Sequence, residues 1–432
     1  MKKHKNIMIQ GTGSSVGKTL IVAGLCRIFA QDGYRVSPFK SQNMALNSFV
    51  DIEGLELSRG TVIQAEAGYE IPRAFMNPIL LKPNSDNNSQ VIINGKVAYT
   101  ADAKNYFSHS KELKKIALET YKNNIENKFD IAVLEGGGSP AEINLREYDL
   151  VNMGMAELVN SPVILIGNID IGGVFAAIYG TVMLLDENDR KRIKGYIINK
   201  FRGDRDLLKP AIEILDKKFK DEGLDIRFLG VLPYADLKIE EEDSLSDEDK
   251  RVYSNDKKYI NISVIKTKKM SNFTDFHAFK QYDDVRVKYI YDVKDLGDED
   301  IIIFPGSKNT ITDLEDLKKK GIFEKVKELK EKGKIIIGIC GGLQMLGKKI
   351  HDPKHLESNI LETEGFNYET TFDEIKKTEQ VIKKIDVTEG ILKDFYDYEI
   401  KGYEIHQGVT NILTPIICKD NVFATYIHGI FD

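Results

Sequence analysis

Residues 11–19 read Gly11-Thr12-Gly13-Ser14-Ser15-Val16-Gly17-Lys18-Thr19, and they separate a short β-like segment (6–10) from an apolar segment with helical spacing (20–30). In such a loop the backbone N–H groups and the helix N-terminus wrap phosphate groups, Lys18 reaches the terminal phosphates, and the Thr19 hydroxyl contacts Mg²⁺. Strand, glycines, Lys-Thr pair and helix occur in the required order, so we predict a nucleotide-binding P-loop. A merely flexible glycine loop would leave the Lys-Thr pair unexplained.

Polar residues end other β-like segments of the N-terminal half, where ligands bind in open α/β sheets. Glu135 ends the run Ile-Ala-Val-Leu and precedes three glycines, so we predict that it holds Mg²⁺ together with Thr19. Lys40 is predicted to meet a carboxylate or an acyl phosphate, and Asn199 is predicted to contact adenine. The alternatives are a solvated strand-end glutamate and a surface lysine.

A second signal lies in residues 337–347, which read Ile-Gly-Ile-Cys-Gly-Gly-Leu-Gln-Met-Leu-Gly. Cys340 follows a β-like segment (334–339) that we predict to be buried, and it precedes a segment whose apolar residues have helical spacing from Leu343 onward. Gly338 and Gly342 permit a sharp strand-to-helix turn, which lifts a nucleophile clear of a sheet. A nucleophile also requires a base, and His428 follows another β-like segment (422–427). We therefore predict that Cys340 and His428 face each other as nucleophile and base. A buried structural cysteine is the alternative.

Length and charge restrict the class of protein. The 432 residues exceed what one hydrophobic core usually supports, which predicts two domains. The net charge is −6, from 61 Lys and Arg against 67 Asp and Glu, without a basic stripe, so we predict no nucleic-acid partner. No signal-peptide pattern and no run of about 18 apolar residues occurs, and the cysteines (Cys26, Cys340 and Cys418) form no metal-ligand or disulfide pattern. We therefore expect a cytoplasmic protein without a membrane partner.

The domain boundary is predicted from composition. Residues 241–258 are rich in charge and poor in apolar side chains, as in a linker, so the first domain spans 1–240 and the second 259–432. Apolar β-like runs at 36–39, 131–134, 163–166 and 196–198 alternate with helix-like stretches, and runs at 260–265, 287–291, 301–304 and 335–339 repeat this pattern. Such alternation is typical of parallel sheets covered on both faces. We predict an α/β fold, with a doubly wound P-loop domain followed by a second α/β domain.

Segments spread over nearly the whole chain carry a resemblance to one family. They are Phe-Lys-Ser-Gln-Asn-Met (39–44), Gln-Ala-Glu-Ala (64–67), Met-Asn-Pro-Ile-Leu-Leu-Lys-Pro (76–83), Ser-Pro-Ala-Glu-Ile-Asn-Leu (139–145), Asn-Met-Gly-Met-Ala (152–156), Gly-Gly-Val-Phe-Ala (172–176), Ile-Ile-Asn-Lys-Phe-Arg-Gly-Asp (197–204), Ser-Asn-Phe-Thr-Asp-Phe (271–276), Pro-Gly-Ser-Lys-Asn-Thr (305–310) and Gly-Tyr-Glu-Ile-His (402–406). Together they resemble the cobyric acid synthase family, the glutamine-dependent amidating enzymes of cobalamin biosynthesis. The first domain resembles dethiobiotin synthetase, and the second resembles a class I glutamine amidotransferase of flavodoxin-like α/β fold.

The resemblance implies specific chemistry. Residues 11–19 would bind ATP, Glu135 would assist Mg²⁺, Cys340 would be the glutaminase nucleophile and His428 its base. The implied substrates are L-glutamine and a corrinoid, adenosylcobyrinic acid a,c-diamide, amidated at its b, d, e and g side-chain carboxylates through acyl phosphates to give adenosylcobyric acid. The resemblance also implies a second domain that is shortened at its C-terminus. Ile430 stands where ordinary triad amidotransferases have a glutamate, so the sequence does not identify the acid that orients His428.

Two other functions stay open from the sequence. Cobyrinic acid a,c-diamide synthase shares both domain types, although residues 76–83 and 271–276 favour the resemblance to the cobyric acid synthase family. A regulatory P-loop ATPase with an inactive amidotransferase-like module is the more distant alternative, and the presence of both Cys340 and His428 argues against it.

Overall fold

The computed structural model describes residues 4–83, 88–235, 237, 259–297, 299–354, 356–357, 361–363, 365–412 and 414–432. These residues form two compact units, one from the N-terminal half of the chain and one from the C-terminal half. Leu46–Glu56 is an exception, because it groups with the second unit although it belongs to the N-terminal half. The segment lies inside the predicted first domain, 1–240, and that domain boundary stays a prediction. The predicted linker 241–258 lies outside the described residues.

The N-terminal half of the chain contains twelve strands and eight α-helices among its described residues. The strands are β1 Lys5–Gly11, β2 Val36–Phe39, β3 Gln42–Met44, β4 Ser48–Val50, β5 Glu56–Ser58, β6 Ile79–Pro83, β7 Asn88–Ile93, β8 Lys96–Asp102, β9 Ile131–Glu135, β10 Val163–Asn168, β11 Ile193–Phe201 and β12 Arg227–Pro233. The helices are α1 Lys18–Gln31, α2 Arg59–Ala67, α3 Ala103–Ser108, α4 Ser110–Thr120, α5 Met153–Leu158, α6 Val174–Leu184, α7 Glu187–Arg192 and α8 Lys209–Asp221.

The first unit is built on a parallel sheet with strand order β12-β11-β10-β1-β9-β2. Successive strand residues point to opposite faces, and both faces of this sheet are buried. Met8 and Leu134 belong to one hydrophobic cluster with residues of α6 and α8, whereas Ile9 and Val133 belong to another with Val22 of α1. Helices therefore cover both faces, which is the predicted doubly wound arrangement.

The strand order places several predicted site residues at one edge of this sheet. The chain leaves β1 toward β2 and β9 on one side and later toward β10 and β11 on the other, so the order reverses beside β1. Gly11 ends β1, Glu135 ends β9 and Lys40 follows β2. Because the carboxyl ends of parallel strands share one edge, and ligands bind where the order reverses, the P-loop and Glu135 are brought together.

The C-terminal half contains thirteen strands and three α-helices among its described residues. The strands are β13 Ile260–Ile265, β14 Met270–Ser271, β15 Val285–Ile290, β16 Ile301–Phe304, β17 Gly306–Ser307, β18 Ile335–Ile339, β19 Gly347–His351, β20 Leu361–Glu362, β21 Phe366–Lys384, β22 Glu399–Thr410, β23 Ile416–Lys419, β24 Val422–Thr425 and β25 Ile427–His428. The helices are α9 Thr310–Lys319, α10 Ile322–Glu331 and α11 Gly341–Leu346.

The main sheet of the second unit has strand order β15-β13-β16-β18-β24-β23. The first five strands are parallel, and their order along the chain is the flavodoxin-like order 2-1-3-4-5, with β23 antiparallel at the edge. A second sheet, with order β20-β19-β21-β22-β25, ends on the short strand that carries His428. In the part of the chain that the structure describes, no helix is long and apolar enough to cross a bilayer.

Candidate active sites

The predicted P-loop connects β1 to α1. Ser15 and Gly17 have positive φ values of 55° and 97°, as a tight phosphate-binding loop requires. The Lys18 ammonium donates to the Gly13 carbonyl at 2.9 Å and to the Gly138 carbonyl at 3.1 Å, so it lies across the loop toward the glycine run after β9. A Cβ on Gly11 would lie 2.5 Å from Val16 Cγ2, which explains a glycine at this close approach.

The Glu135 carboxylate is the centre of a buried polar cluster. Its Oε1 accepts from the Thr19 hydroxyl at 3.0 Å and from the Lys40 ammonium at 3.1 Å, and the Lys40 and Glu135 side chains are only 4% and 2% exposed. The structure thus brings Lys40 to Glu135 and Thr19, the two residues that the sequence analysis had already paired. Gln64 was missed as a member of this cluster: its amide donates to Glu135 Oε2 and to the Thr19 carbonyl at 3.3 Å.

The cluster has the chemistry of a magnesium site. Mg²⁺ prefers oxygen ligands and is usually held by one or two carboxylates together with phosphate oxygens. Thr19 and Glu135 supply a hydroxyl and a carboxylate, and the buried Gln64 Oε1 has no hydrogen-bond partner among the described residues. These groups fit one divalent cation beside a nucleotide phosphate.

Asn199 lies beneath the P-loop. Its amide nitrogen donates to the Val16 carbonyl at 2.8 Å, and a Cβ on Gly17 would come within 2.3 Å of the same nitrogen. The side chain therefore supports the loop backbone, and the predicted contact of Asn199 with adenine stays a prediction.

Cys340 occupies a strained turn between β18 and α11, with φ 53° and ψ −106°. A non-glycine residue in such a conformation costs about 1–3 kcal/mol and is typical of functional sites. The neighbouring glycines allow α11 to pack closely: a Cβ on Gly338 would lie 2.8 Å from the Gly342 backbone, and one on Gly342 would lie 1.9 Å from the Phe304 carbonyl oxygen. The predicted helix beyond Leu343 is short, because the chain enters β19 at Gly347.

His428 has a buried acidic partner that the sequence did not identify. Its Nδ1 donates to Asp275 Oδ2 at 2.7 Å, and the two side chains are 1% and 2% exposed. Asp275 lies in a single-turn 3₁₀ helix, Phe273–Phe276, and its other oxygen accepts from the Gly429 N–H at 3.1 Å. The motif at 271–276 contained this residue, but nothing in its spacing linked it to a histidine far along the chain.

The charges around His428 favour its protonated form. Burial by itself lowers the pKa of the imidazole, but the Asp275 carboxylate and the hydrogen-bonded Cys340 side chain raise this pKa to about 10. His428 therefore carries a proton at neutral pH and faces Cys340, as an acid–base partner of a thiol must.

The remaining groups around Cys340 suit attack on an amide. A Cβ on Gly306 would lie 3.4 Å from His428 Cε1, and one on Gly341 would lie 2.7 Å from the Ser307 nitrogen. The Pro305-Gly306-Ser307 turn thus runs beside the nucleophile, where its N–H groups can stabilise an oxyanion. Cys340 is only 6% exposed, and its Sγ lies 3.6 Å from the Ile405 carbonyl oxygen.

Two family models match the chain, one in each half. The model described as a CobQ/CobB/MinD/ParA nucleotide binding domain matches residues 7–245, and the model described as a CobB/CobQ-like glutamine amidotransferase domain matches residues 261–432. These matches confirm the predicted fold class, a P-loop α/β domain followed by a glutamine amidotransferase domain.

Similar curated proteins span nearly the whole chain. A cobyric acid synthase from Clostridium novyi is 49% identical over 451 aligned residues, covering 100% of this chain and 87% of the relative. One from Clostridium botulinum is 48% identical, covering 99% and 88%. One from Alkaliphilus metalliredigens is also 48% identical, covering 98% and 88%.

Similar solved structures match parts of the chain. A crystal structure of a glutamine amidotransferase gives a TM-score of 0.29 at 15% identity, covering 39% of this chain and 89% of that protein. The signal recognition particle receptor FtsY from Elizabethkingia anophelis gives a TM-score of 0.32 at 14% identity, covering 54% and 59%. Both TM-scores are too low to carry a functional argument.

Proposed function

The chain belongs to the cobyric acid synthase family, and we propose that it uses ATP and glutamine to amidate the b, d, e and g side-chain carboxylates of adenosylcobyrinic acid a,c-diamide. One observation supports this proposal more than any other: a single chain holds the Lys18, Thr19 and Glu135 cluster and also the buried pair of His428 and Asp275 beside Cys340. The first arrangement suits phosphoryl transfer, and the second suits release of ammonia from an amide.

The nucleotide site activates the carboxylate. A carboxylate is a poor acceptor for ammonia, and transfer of the γ-phosphoryl group of ATP converts it to an acyl phosphate with a good leaving group. Lys18 moves from the loop carbonyls to the terminal phosphates, while Lys40 offers a second cation for the growing negative charge. Thr19 and Glu135 would hold Mg²⁺, which supplies further neutralisation of phosphate charge when bound.

The second site supplies the nucleophile. The Cys340 thiolate attacks the side-chain carbonyl of glutamine, and the tetrahedral oxyanion accepts hydrogen bonds from backbone N–H groups of the Gly306-Ser307 turn. His428, protonated and held by Asp275, gives its proton to the leaving ammonia and the thioester forms. The neutral His428 then takes a proton from the attacking water, whose oxygen displaces the Cys340 thiolate from the thioester. The new carboxylic acid loses its proton to solvent and leaves as glutamate, so the thiolate and the protonated histidine are restored.

Two variants of the full chain test this division of labour. We expect Cys340→Ser to abolish glutamine-dependent amidation and to spare ammonium-dependent amidation, since only thiolate chemistry is lost. Lys18→Ala should abolish both, because activation precedes amination with either nitrogen source. Mass spectrometry of the corrinoid, incubated with ATP, Mg²⁺ and each nitrogen source, counts the acids converted to amides.

The same experiment separates the alternatives. Amidation of adenosylcobyrinic acid a,c-diamide supports the proposal, whereas amidation only at the a and c positions of cobyrinic acid would identify a cobyrinic acid a,c-diamide synthase. Failure of ammonium to support Cys340→Ser would contradict the two-site scheme. Turnover of ATP without any glutamine hydrolysis would favour a regulatory ATPase with an inactive second module.

A further inference from the structure

One segment of the N-terminal half packs against the machinery around His428. Leu46–Glu56 lies outside residues 261–432, the range that matches the amidotransferase family model, yet it belongs to the second compact unit. Along the sequence it lies shortly after Lys40, inside residues 7–245, the range that matches the nucleotide-binding family model. Within the second unit it contacts residues that lie against His428 or lead to Asp275.

The first set of contacts involves the turn that carries Asp275. Asn47 is fully buried, and its Oδ1 accepts from the Phe273 N–H at 3.0 Å. The Ser48 N–H donates in turn to Asn272 Oδ1 at 3.4 Å. Asn272 immediately precedes the 3₁₀ turn Phe273–Phe276, and Phe273 begins it. These bonds therefore fix the start of the turn from which Asp275 reaches His428.

The second set of contacts involves the imidazole itself. The Tyr403 ring stacks on the His428 ring with centroids 5.4 Å apart and planes at 21°. Phe49 packs edge-on against the other ring of this pair, Tyr403, with centroids 5.0 Å apart. The Tyr403 hydroxyl also accepts from Asn272 Nδ2 at 3.3 Å, so both sets of contacts meet at this tyrosine.

The segment is anchored along β21. Glu56 forms an ion pair with Lys376 at 2.5 Å, and these side chains are only 1% and 9% exposed. The Gly54 carbonyl accepts from the Thr378 hydroxyl at 2.7 Å, and the Val50 carbonyl accepts from Gln380 Nε2 at 3.0 Å. These three anchors lie between Val50 and Glu56, and they tie the part of the segment that follows Asn47 and Phe49 to β21.

We propose that Asn47 and Phe49 are positioning residues of the glutaminase site. Asn47 fixes the turn that presents Asp275, and Phe49 fixes the tyrosine that orients the His428 ring. The inference rests on the proposed glutaminase chemistry but not on the identity of the corrinoid. Catalytic groups must be held within about 0.5 Å of productive geometry, so loosening either support lowers the rate of the step that uses His428.

Full-length variants test the proposal through glutamine hydrolysis. We expect Asn47→Ala and Phe49→Leu each to lower kcat for glutamine hydrolysis about 10- to 100-fold, the usual cost of a displacement near 1 Å. The KM for glutamine and the rate of ammonium-dependent amidation should stay at the wild-type level, because neither depends on His428. Ile52→Ala is the matched control, since Ile52 lies in the same segment but is 58% exposed.

Two outcomes would overturn the inference. A folded Asn47→Ala protein with wild-type kcat would show that the turn needs no support from this segment. If a variant lost glutamine hydrolysis and ammonium-dependent amidation to the same extent, and its thermal midpoint of unfolding also fell, the residue would have only a structural role. If Asn47→Ala does not fold, Phe49→Leu decides, because it keeps an apolar side chain. Absence of corrinoid amidation in the wild type, with glutamine hydrolysis intact, would instead contradict the proposed function alone.

Discussion

Replacement of Asp275 by asparagine tests the assignment of the acid that orients His428. Asp275→Asn keeps the shape of the side chain but removes the negative charge 2.7 Å from the imidazole Nδ1. Both side chains are almost completely buried, so water cannot replace the lost interaction. The raised pKa of His428, about 10 in the native protein, should fall, and less of the protonated histidine would face Cys340 at neutral pH.

The size of the effect follows from the burial of the pair. Loss of one partner of a buried, charge-assisted hydrogen bond costs about 2–4 kcal/mol. Since about 1.4 kcal/mol corresponds to a tenfold change in rate, kcat for glutamine hydrolysis should fall about 30- to 1,000-fold. Ammonium-dependent amidation should be unchanged, because that route bypasses Cys340 and His428.

Steady-state glutamine hydrolysis and ammonium-dependent amidation are measured on the same preparation. Asp292→Asn is the matched control, because Asp292 lies in the same unit with a side chain that is 49% exposed and pairs only with Lys294 among the ion pairs of the described residues. A loss of less than about threefold in kcat for Asp275→Asn, below about 1 kcal/mol, would refute the role of Asp275. An equal loss with ammonium would point to misfolding rather than to catalysis.

Three further predictions concern the metal, the turn and pH. Glu135→Gln should weaken Mg²⁺-dependent ATP turnover and leave glutamine hydrolysis intact, and an unchanged Mg²⁺ titration of activity would contradict its role as a ligand. Gly342→Ala should lower the thermal midpoint and abolish glutamine hydrolysis, because its Cβ would lie 1.9 Å from the Phe304 carbonyl oxygen; a normal melting curve would refute this packing argument. Folding raises the pKa of His428 from 6.5 to about 10. The protonated histidine therefore contributes its full share to the free energy of unfolding below pH 6.5, and this contribution is lost as the pH rises through about 10. As the pH rises over this range, the urea midpoint of unfolding should fall less steeply for Asp275→Asn than for the wild type. Parallel profiles of the two proteins would contradict the link between His428 protonation and stability.

Local patterns in the sequence were sufficient for much of the fold. The runs at 36–39, 260–265, 301–304 and 335–339 coincide with β2, β13, β16 and β18, because short apolar runs between turns leave few alternatives to a buried strand. The P-loop and the glycine turn around Cys340 are each made of consecutive residues, so both could be recognised from the sequence alone. The strand-end rule also placed Glu135 beside the P-loop and Thr19, since parallel strands end at a common edge. It left open which carboxylate Lys40 meets, and the structure shows that this is Glu135.

Contacts between distant residues were decided only by the tertiary structure. Asp275 meets His428 across 153 residues of sequence, and Asn47 meets Phe273 across 226. Gln64 reaches Glu135 across 71 residues, and no spacing in the sequence distinguishes it from other glutamines. Such contacts have no period and no motif, because a single side chain at the right point in space is enough to make them. Propensity and patterning specify which segments become strands and helices, whereas the packing of those segments specifies which carboxylate holds the histidine and which loop supports it.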